Sequence, residues 1–160
     1  MSLTTVEFGP VRAIGLRYEG KNENEEIMRL WGSLLPRRGE IATPEGGGAF
    51  GVCRCLPGVK DGSFEYLAGF GAREDARVPD GMTALEIPRG EYVVHRVERV
   101  DDYKQVWMEA CNALAVDPEL ASCCNGPDDC QCAAHPAFEY YPPEFHGNGP
   151  VHIYLAVRRK

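Results

Sequence analysis

The sequence predicts one α+β domain over residues 1–160, a duplicated β-α-β-β module whose antiparallel sheets and two main helices surround a central pocket. Three observations predict it. Eighteen glycines and twelve prolines suit many turns and short strands rather than long helices. Two segments, near residues 24–35 and 101–114, carry apolar residues at helical three- to four-residue steps. Two short features also recur at nearly one spacing. Trp31 and Trp107 stand 76 residues apart, and the triplets Phe64-Glu65-Tyr66 and Phe138-Glu139-Tyr140 stand 74 apart. Matching offsets point to an internal duplication, with repeat 1 over about 1–78, repeat 2 over about 79–160 and a Cys-rich insertion at 121–135.

The first strand is "VRAIGLRYEG", residues 11–20, closed by a glycine. In "NENEEIMRLWGSLL", Asn24 reads as an N-cap and Glu25 and Glu26 suit the positive end of a helix. Ile27, Met28, Leu30, Trp31, Leu34 and Leu35 form its apolar stripe, and Pro36 stops it. "AFGVCRCL" and "FEYLAGFGA" follow as two strands joined by the turn "PGVKDG". The second unit repeats the order. "TALEIPRGEYVVHRVE" is a strand broken at Pro88-Arg89-Gly90, and "DDYKQVWMEACNAL" is a helix with Tyr103, Val106, Trp107, Ala110, Cys111 and Leu114 on one face. A Cys-rich loop and the strands "AFEYYPPEF" and "VHIYLAVRRK" complete it.

Composition narrows the function classes. A net charge of -7, with acidic residues in both halves, argues against nucleic acid, whose phosphates would be repelled. It fits a protein receiving neutral or cationic small molecules. No apolar run approaches the ~20 residues of a membrane span, and no basic-then-apolar leader opens the sequence, so a cytoplasmic location is expected.

The strand "AFEYY" holds a carboxylate among rings. Alternation puts Glu139 and Tyr141 on one face and Phe138 and Tyr140 on the other. Glu65, in the matching triplet, is expected to be exposed or paired with a base such as Arg54 on a neighbouring strand. Trp31 and Trp107, on apolar helix faces, are core rings or pocket walls, and the same pair of readings holds for Tyr92 and Tyr154 on strands.

Four stretches in order, "AFGVCRCLPG", "VPDGMTALEIPRGEYVVHRVE", "PAFEYYPPEF" and "VHIYLAVRRK", resemble the GyrI-like domain, also called the AraC-type effector-binding domain. With the first strand and helix they cover nearly the whole chain. The resemblance implies a duplicated α+β module around a pocket. Members occur fused to helix-turn-helix domains in drug-sensing transcription regulators, and alone as gyrase inhibitors, cationic-drug binders or hydrolases of cyclopropanoid toxins. The family's pocket glutamate falls on Glu139, and its aromatic walls map onto Trp107, Tyr92 and Tyr141, with Trp31 and Tyr154 as further ligand-binding candidates. No helix-turn-helix segment accompanies this sequence, so direct DNA binding is not expected. A gyrase-like or regulator protein partner is implied without being assigned.

A carboxylate kept among rings is poised to accept a hydrophobic cation, and each ring face adds ~0.5–2 kcal/mol of cation–π attraction. Glu139 in an apolar pocket could equally serve a hydrolase as general acid or base. A third reading rests on "SCCNGPDDCQC", where Cys123, Cys124, Cys130 and Cys132, with His135, could close a zinc site or respond to redox conditions. Paired Cys-x-x-Cys knuckles are absent, which weakens the metal version, and no cofactor is required by the leading reading.

Overall fold

Val, Ile, Tyr and Phe concentrate in short runs bounded by Gly and Pro, and those runs are the strands. The computed structural model describes residues 3–45, 47–56, 58–124, 131, 134–145 and 147–160. The strands are β1 (Val6–Phe8), β2 (Val11–Gly20), β3 (Ala49–Cys55), β4 (Phe64–Gly71), β5 (Thr83–Ile87), β6 (Gly90–Val97), β7 (Leu120–Ser122), β8 (Ala137–Tyr141) and β9 (Val151–Arg159). Helix α1 (Glu26–Leu34) lies between β2 and β3, and α2 (Tyr103–Ala115) between β6 and β7. The class is α+β, as expected. β1 and β7 are short strands that the periodicity did not reveal.

All strand pairs are antiparallel, in the order β1-β6-β9-β8-β3-β4-β2-β5, with β7 added to β9. The order reads the same outward in both directions from the central β3–β8 pair. β2, β3 and β4 on one side correspond to β6, β8 and β9 on the other. Each half's leading strand crosses over, β1 onto β6 and β5 onto β2. In this order the counterpart of β8 is β3, not β4. The two Phe-Glu-Tyr triplets therefore stand on non-equivalent strands, whereas Trp31 and Trp107 stand on equivalent helices.

Side-chain parity divides the core. One face gathers Ala13, Phe50, Val52, Leu67, Ile87, Tyr92, Phe138 and Ala156 into one cluster. Ile87 belongs to one end of the strand order and Tyr92 to near the other, so the sheet curls into a half-barrel around them. The opposite face carries the helices. α1 packs over β2 and β4, where Ile14, Leu34, Tyr66 and Phe70 are buried. α2 packs over β6 and β7, against Val93, Val97, Leu120 and Ile153. Each large aliphatic or aromatic side chain so buried is worth ~1.5–3 kcal/mol. Neither helix covers the central β3–β8 pair, which lies between them.

The start of α1 differs from the sequence expectation. Glu25, not Asn24, is the cap residue, with φ of 57°. The Asn22 carboxamide oxygen accepts the Ile27 N–H at 3.1 Å, and the Glu26 carboxylate accepts the Asn24 N–H at 2.6 Å. One orphan donor of the first turn, the Ile27 N–H, is thus met from outside the expected position. Pro36 lies just past the end of the α-helix, which stops at Leu34 as expected. It sits in the first turn of a 3-10 helix, Leu35–Glu40, where its missing N–H costs nothing.

Candidate functional site

Glu139 sits at the middle of β8, paired with Gly51 on β3 and Ile153 on β9. Its side chain rises on the helix face, between α1 and α2, and the residue is 8% exposed. Gly51 makes room for it. A Cβ at Gly51 would overlap both the Tyr66 hydroxyl and the Glu139 carboxylate, and only backbone hydrogen fits below them.

Three phenols hold the carboxylate. Tyr66 on β4 donates to Oε1, Tyr141 on β8 donates to the same oxygen at 2.7 Å, and Tyr103 at the start of α2 donates to Oε2 at 2.6 Å. The Trp31 indole N–H of α1 donates to the Tyr66 oxygen at 3.0 Å, and its ring meets Tyr141 edge-on with centroids 5.4 Å apart. Trp107 stacks on Tyr103, and Phe145 lies edge-on to Tyr141. Trp31, Tyr103, Trp107 and Tyr141 are half-buried, forming an aromatic rim over a buried acid.

The electrostatics of this cage run one way. Burial, then the nearby Glu139 charge, pushes the hydroxyls of Tyr66, Tyr103 and Tyr141 far above the ordinary tyrosine range. At neutral pH they therefore stay protonated and donate to the carboxylate. Burial and the same carboxylate push the Cys53 thiol up as well, so it stays protonated. Among the described residues no cationic side chain contacts Glu139.

Glu65 makes the contrast. It opposes Arg54 across the β3–β4 pair and accepts from Arg54 and, at 2.7 Å, from Arg17. Burial alone would raise its carboxyl, but the bonds from Arg17 and Arg54 outweigh burial and hold it below the usual range. One acid of the repeated triplet is neutralised by two guanidiniums. The other is cradled by neutral phenols, satisfied in hydrogen bonds and unbalanced in charge.

The sequence-predicted residues divide by strand parity. Glu139, Tyr141 and Trp31 come together directly, and Trp107 joins through Tyr103. Tyr92 and Tyr154 do not join them. Tyr154 is the cross-strand partner of Phe138, and Tyr92 pairs with Ala156 while Glu139 pairs with Ile153, so both rings point to the opposite face. There they pack with Phe8 and Phe138. Tyr66 and Tyr103 were missed. Tyr103 carried a signal, one helical turn before Trp107 on the same face.

Two cavities lie apart from Glu139 itself, the first of them sharing Trp107 with the aromatic rim. One, of about 520 Å³, is lined by Trp107, Cys111, Leu120, Cys123, Cys124 and His135, among others. Another, of about 640 Å³, borders Phe8, Arg12, Phe50, Glu86 and Tyr140. Of the candidate zinc ligands, Cys130 and Cys132 lie outside the described residues. Cys123 is buried with its sulfur 3.4 Å from His135 Nδ1, while Cys124 meets Cys55 instead. Neighbouring cysteines thus turn to different partners, and among the described residues no three His, Cys, Asp or Glu side chains are grouped to hold a metal.

The family described as Cass2, integron-associated effector binding protein, matches residues 4–157. The transcriptional regulator BrlR of Pseudomonas aeruginosa is 27% identical over 169 residues, an overlap of 98% of this chain and 56% of BrlR. The chain therefore spans about half the length of that relative. An integron cassette protein from the mobile metagenome of Vibrio cholerae shares the fold, with a TM-score of 0.62 at 19% identity over 98% of this chain and 96% of its own. So does SAV2435, solved bound to tetraphenylphosphonium, with a TM-score of 0.65 at 13% identity over 99% and 94%. Among the described residues, no helix is long and apolar enough to cross a membrane.

Proposed function

This chain belongs to the family of integron-associated effector binding proteins, and from that premise we propose that it is a small-molecule-binding domain whose ligand is a lipophilic, aromatic cation seated over Glu139. The observation that carries the reading is the uncompensated charge. Glu139 is buried among Trp31, Tyr66, Tyr103 and Tyr141 with three hydroxyl donors and no described cationic partner, while Glu65 has two arginines. A delocalised cation would supply the missing charge without demanding hydrogen bonds that the phenols already make. Its rings would stack on the half-buried rim, each contact adding ~0.5–2 kcal/mol. The tetraphenylphosphonium held by SAV2435 is a ligand of this chemical kind.

Because Glu139 is covered, entry requires the rim rings to part, and Trp31 and Tyr141 are the half-exposed pair over Oε1. A domain with such a site either sequesters its ligand or reports it to a partner, as the name of BrlR suggests for that relative. The hydrolytic reading, with Glu139 as acid or base, draws less support. Both carboxylate oxygens already accept hydrogen bonds from phenols, which leaves less of the carboxylate open to a substrate or a water molecule.

Titration with tetraphenylphosphonium, read by tryptophan emission, tests the proposal. Trp31 and Trp107 are the chain's two tryptophans, and both adjoin the cage. Saturable quenching supports the cation site over Glu139, and no saturable change overturns it.

A further inference from the structure

Cys55 closes β3, where it opposes Phe64 of β4. Cys124 follows β7, far along the chain, yet its sulfur lies 3.0 Å from that of Cys55. The approach is built into the backbone on both sides. Cys55 is fixed by the β3–β4 ladder. The backbone N–H of Cys123 is held by the Ala156 carbonyl at 3.0 Å, and its carbonyl accepts the Gln131 N–H at 2.7 Å. Ser122 then brackets Cys124, its hydroxyl accepting the Cys124 N–H at 3.0 Å and donating to the Cys124 carbonyl at 2.9 Å. Both thiols are half-buried, within reach of a small reagent.

We propose that Cys55 and Cys124 are a reversible dithiol–disulfide pair that responds to small-molecule disulfides. The sulfurs need to close by only about 1 Å to reach bonding distance. In the first step one cysteine, as thiolate, attacks a sulfur of the small disulfide, forming a mixed disulfide and releasing one small thiolate. The second cysteine, having lost its proton to solvent, attacks the protein sulfur of that mixed disulfide and releases the second small thiolate. Two electrons pass from the protein dithiol to the small disulfide, which leaves as two thiols. The new bond ties the end of β3 to the segment after β7. β3 is the strand paired with β8, so the link joins the two halves of the sheet beside the strand that carries Glu139. The pair is independent of the cation site, and its test does not depend on any ligand of Glu139.

The experiment incubates the full chain with oxidised glutathione, quenches with an alkylating agent, and maps cross-linked tryptic peptides by fragmentation. Cleavage after Arg54 separates Cys55 from Cys53, so the β3 partner is assigned directly. The expected product is a Cys55–Cys124 link that disappears on addition of dithiothreitol. Cys55→Ser and Cys124→Ser each lower the yield of the intramolecular link at least tenfold and leave the remaining cysteine of the pair as an unresolved glutathione adduct, while Cys111→Ser and Cys123→Ser leave the link in place. A wild-type map showing only glutathione adducts, or Cys55 joined to Cys130 or Cys132, overturns the proposal without reference to any variant.

Discussion

The hydroxyl of Tyr103 and the carboxylate of Glu139, 36 residues apart in the chain, meet at 2.6 Å. This bond joins the first turn of α2 to the central strand β8, and Trp31 reaches the same carboxylate from α1 through Tyr66. Both helices are thereby anchored to one acid. A ligand that competes for the acid's charge also acts on the two elements that flank it.

Gly51→Ala places a methyl group where the Tyr66 hydroxyl and the carboxylate lie. Neither can retreat freely, since Tyr66 is buried and Glu139 is held by two further phenols. Urea unfolding should show a loss of about 1–3 kcal/mol, the usual penalty of overpacking a filled core. The same variant should lose the tryptophan response to tetraphenylphosphonium.

Two tyrosine-to-phenylalanine changes should part company. Tyr66→Phe removes one of the two donors to Glu139 Oε1 and the acceptor of the Trp31 N–H, and should cost about 1–3 kcal/mol because the indole N–H is left unmet and the carboxylate keeps one donor fewer. Tyr92→Phe removes a hydroxyl that is buried and, among the described residues, without a hydrogen-bond partner. Its stability should be unchanged or higher. Urea midpoints of the two variants check the contrast.

High pH should destabilise the fold through the cage. The Tyr66, Tyr103 and Tyr141 hydroxyls lie above their unfolded value of about 10. A group raised on folding stabilises fully below its unfolded value and loses that contribution as pH climbs toward its folded one. Stability should therefore fall progressively above about pH 10. Absorbance titration should show these three tyrosines ionising only as the protein unfolds.

The acid side should report Glu65. Its carboxyl is held below the unfolded value by Arg17 and Arg54, so its contribution is present above about 4.5 and lost as pH falls. Thermal melts at neutral pH and near pH 3 should differ more for wild type than for Glu65→Gln, whose amide does not titrate.

Much of this was legible in the chain, and the misses have physical causes. Alternation in "AFEYY" put Glu139 and Tyr141 on one face, and helical spacing placed Trp31 and Trp107 on inward stripes. The break at Pro88-Arg89-Gly90 separated β5 from β6. Tyr66 was hidden because its role depends on β4 lying beside β3 with Gly51 leaving space, a relation set by sheet order rather than local pattern. Tyr92 and Tyr154 were grouped with Glu139 because a single sequence gives parity within a strand but not between strands. Register supplies that relation, and it places Tyr154 beside Phe138. The Phe-Glu-Tyr recurrence suggested equivalent strands, yet β4 and β8 are not counterparts in the palindromic order.

The most direct measurement is calorimetric titration of tetraphenylphosphonium, with triphenylphosphine oxide as the neutral analogue, into wild type and Glu139→Gln. Gln keeps the shape of the side chain and removes its charge. Micromolar binding of the cation to wild type, weakened ~10-fold or more (about 1.4 kcal/mol) in the variant, with the neutral compound binding both proteins equally, is the predicted result. Equal cation affinity for the two proteins would contradict the account, because the charge of Glu139 would then have no part in recognition.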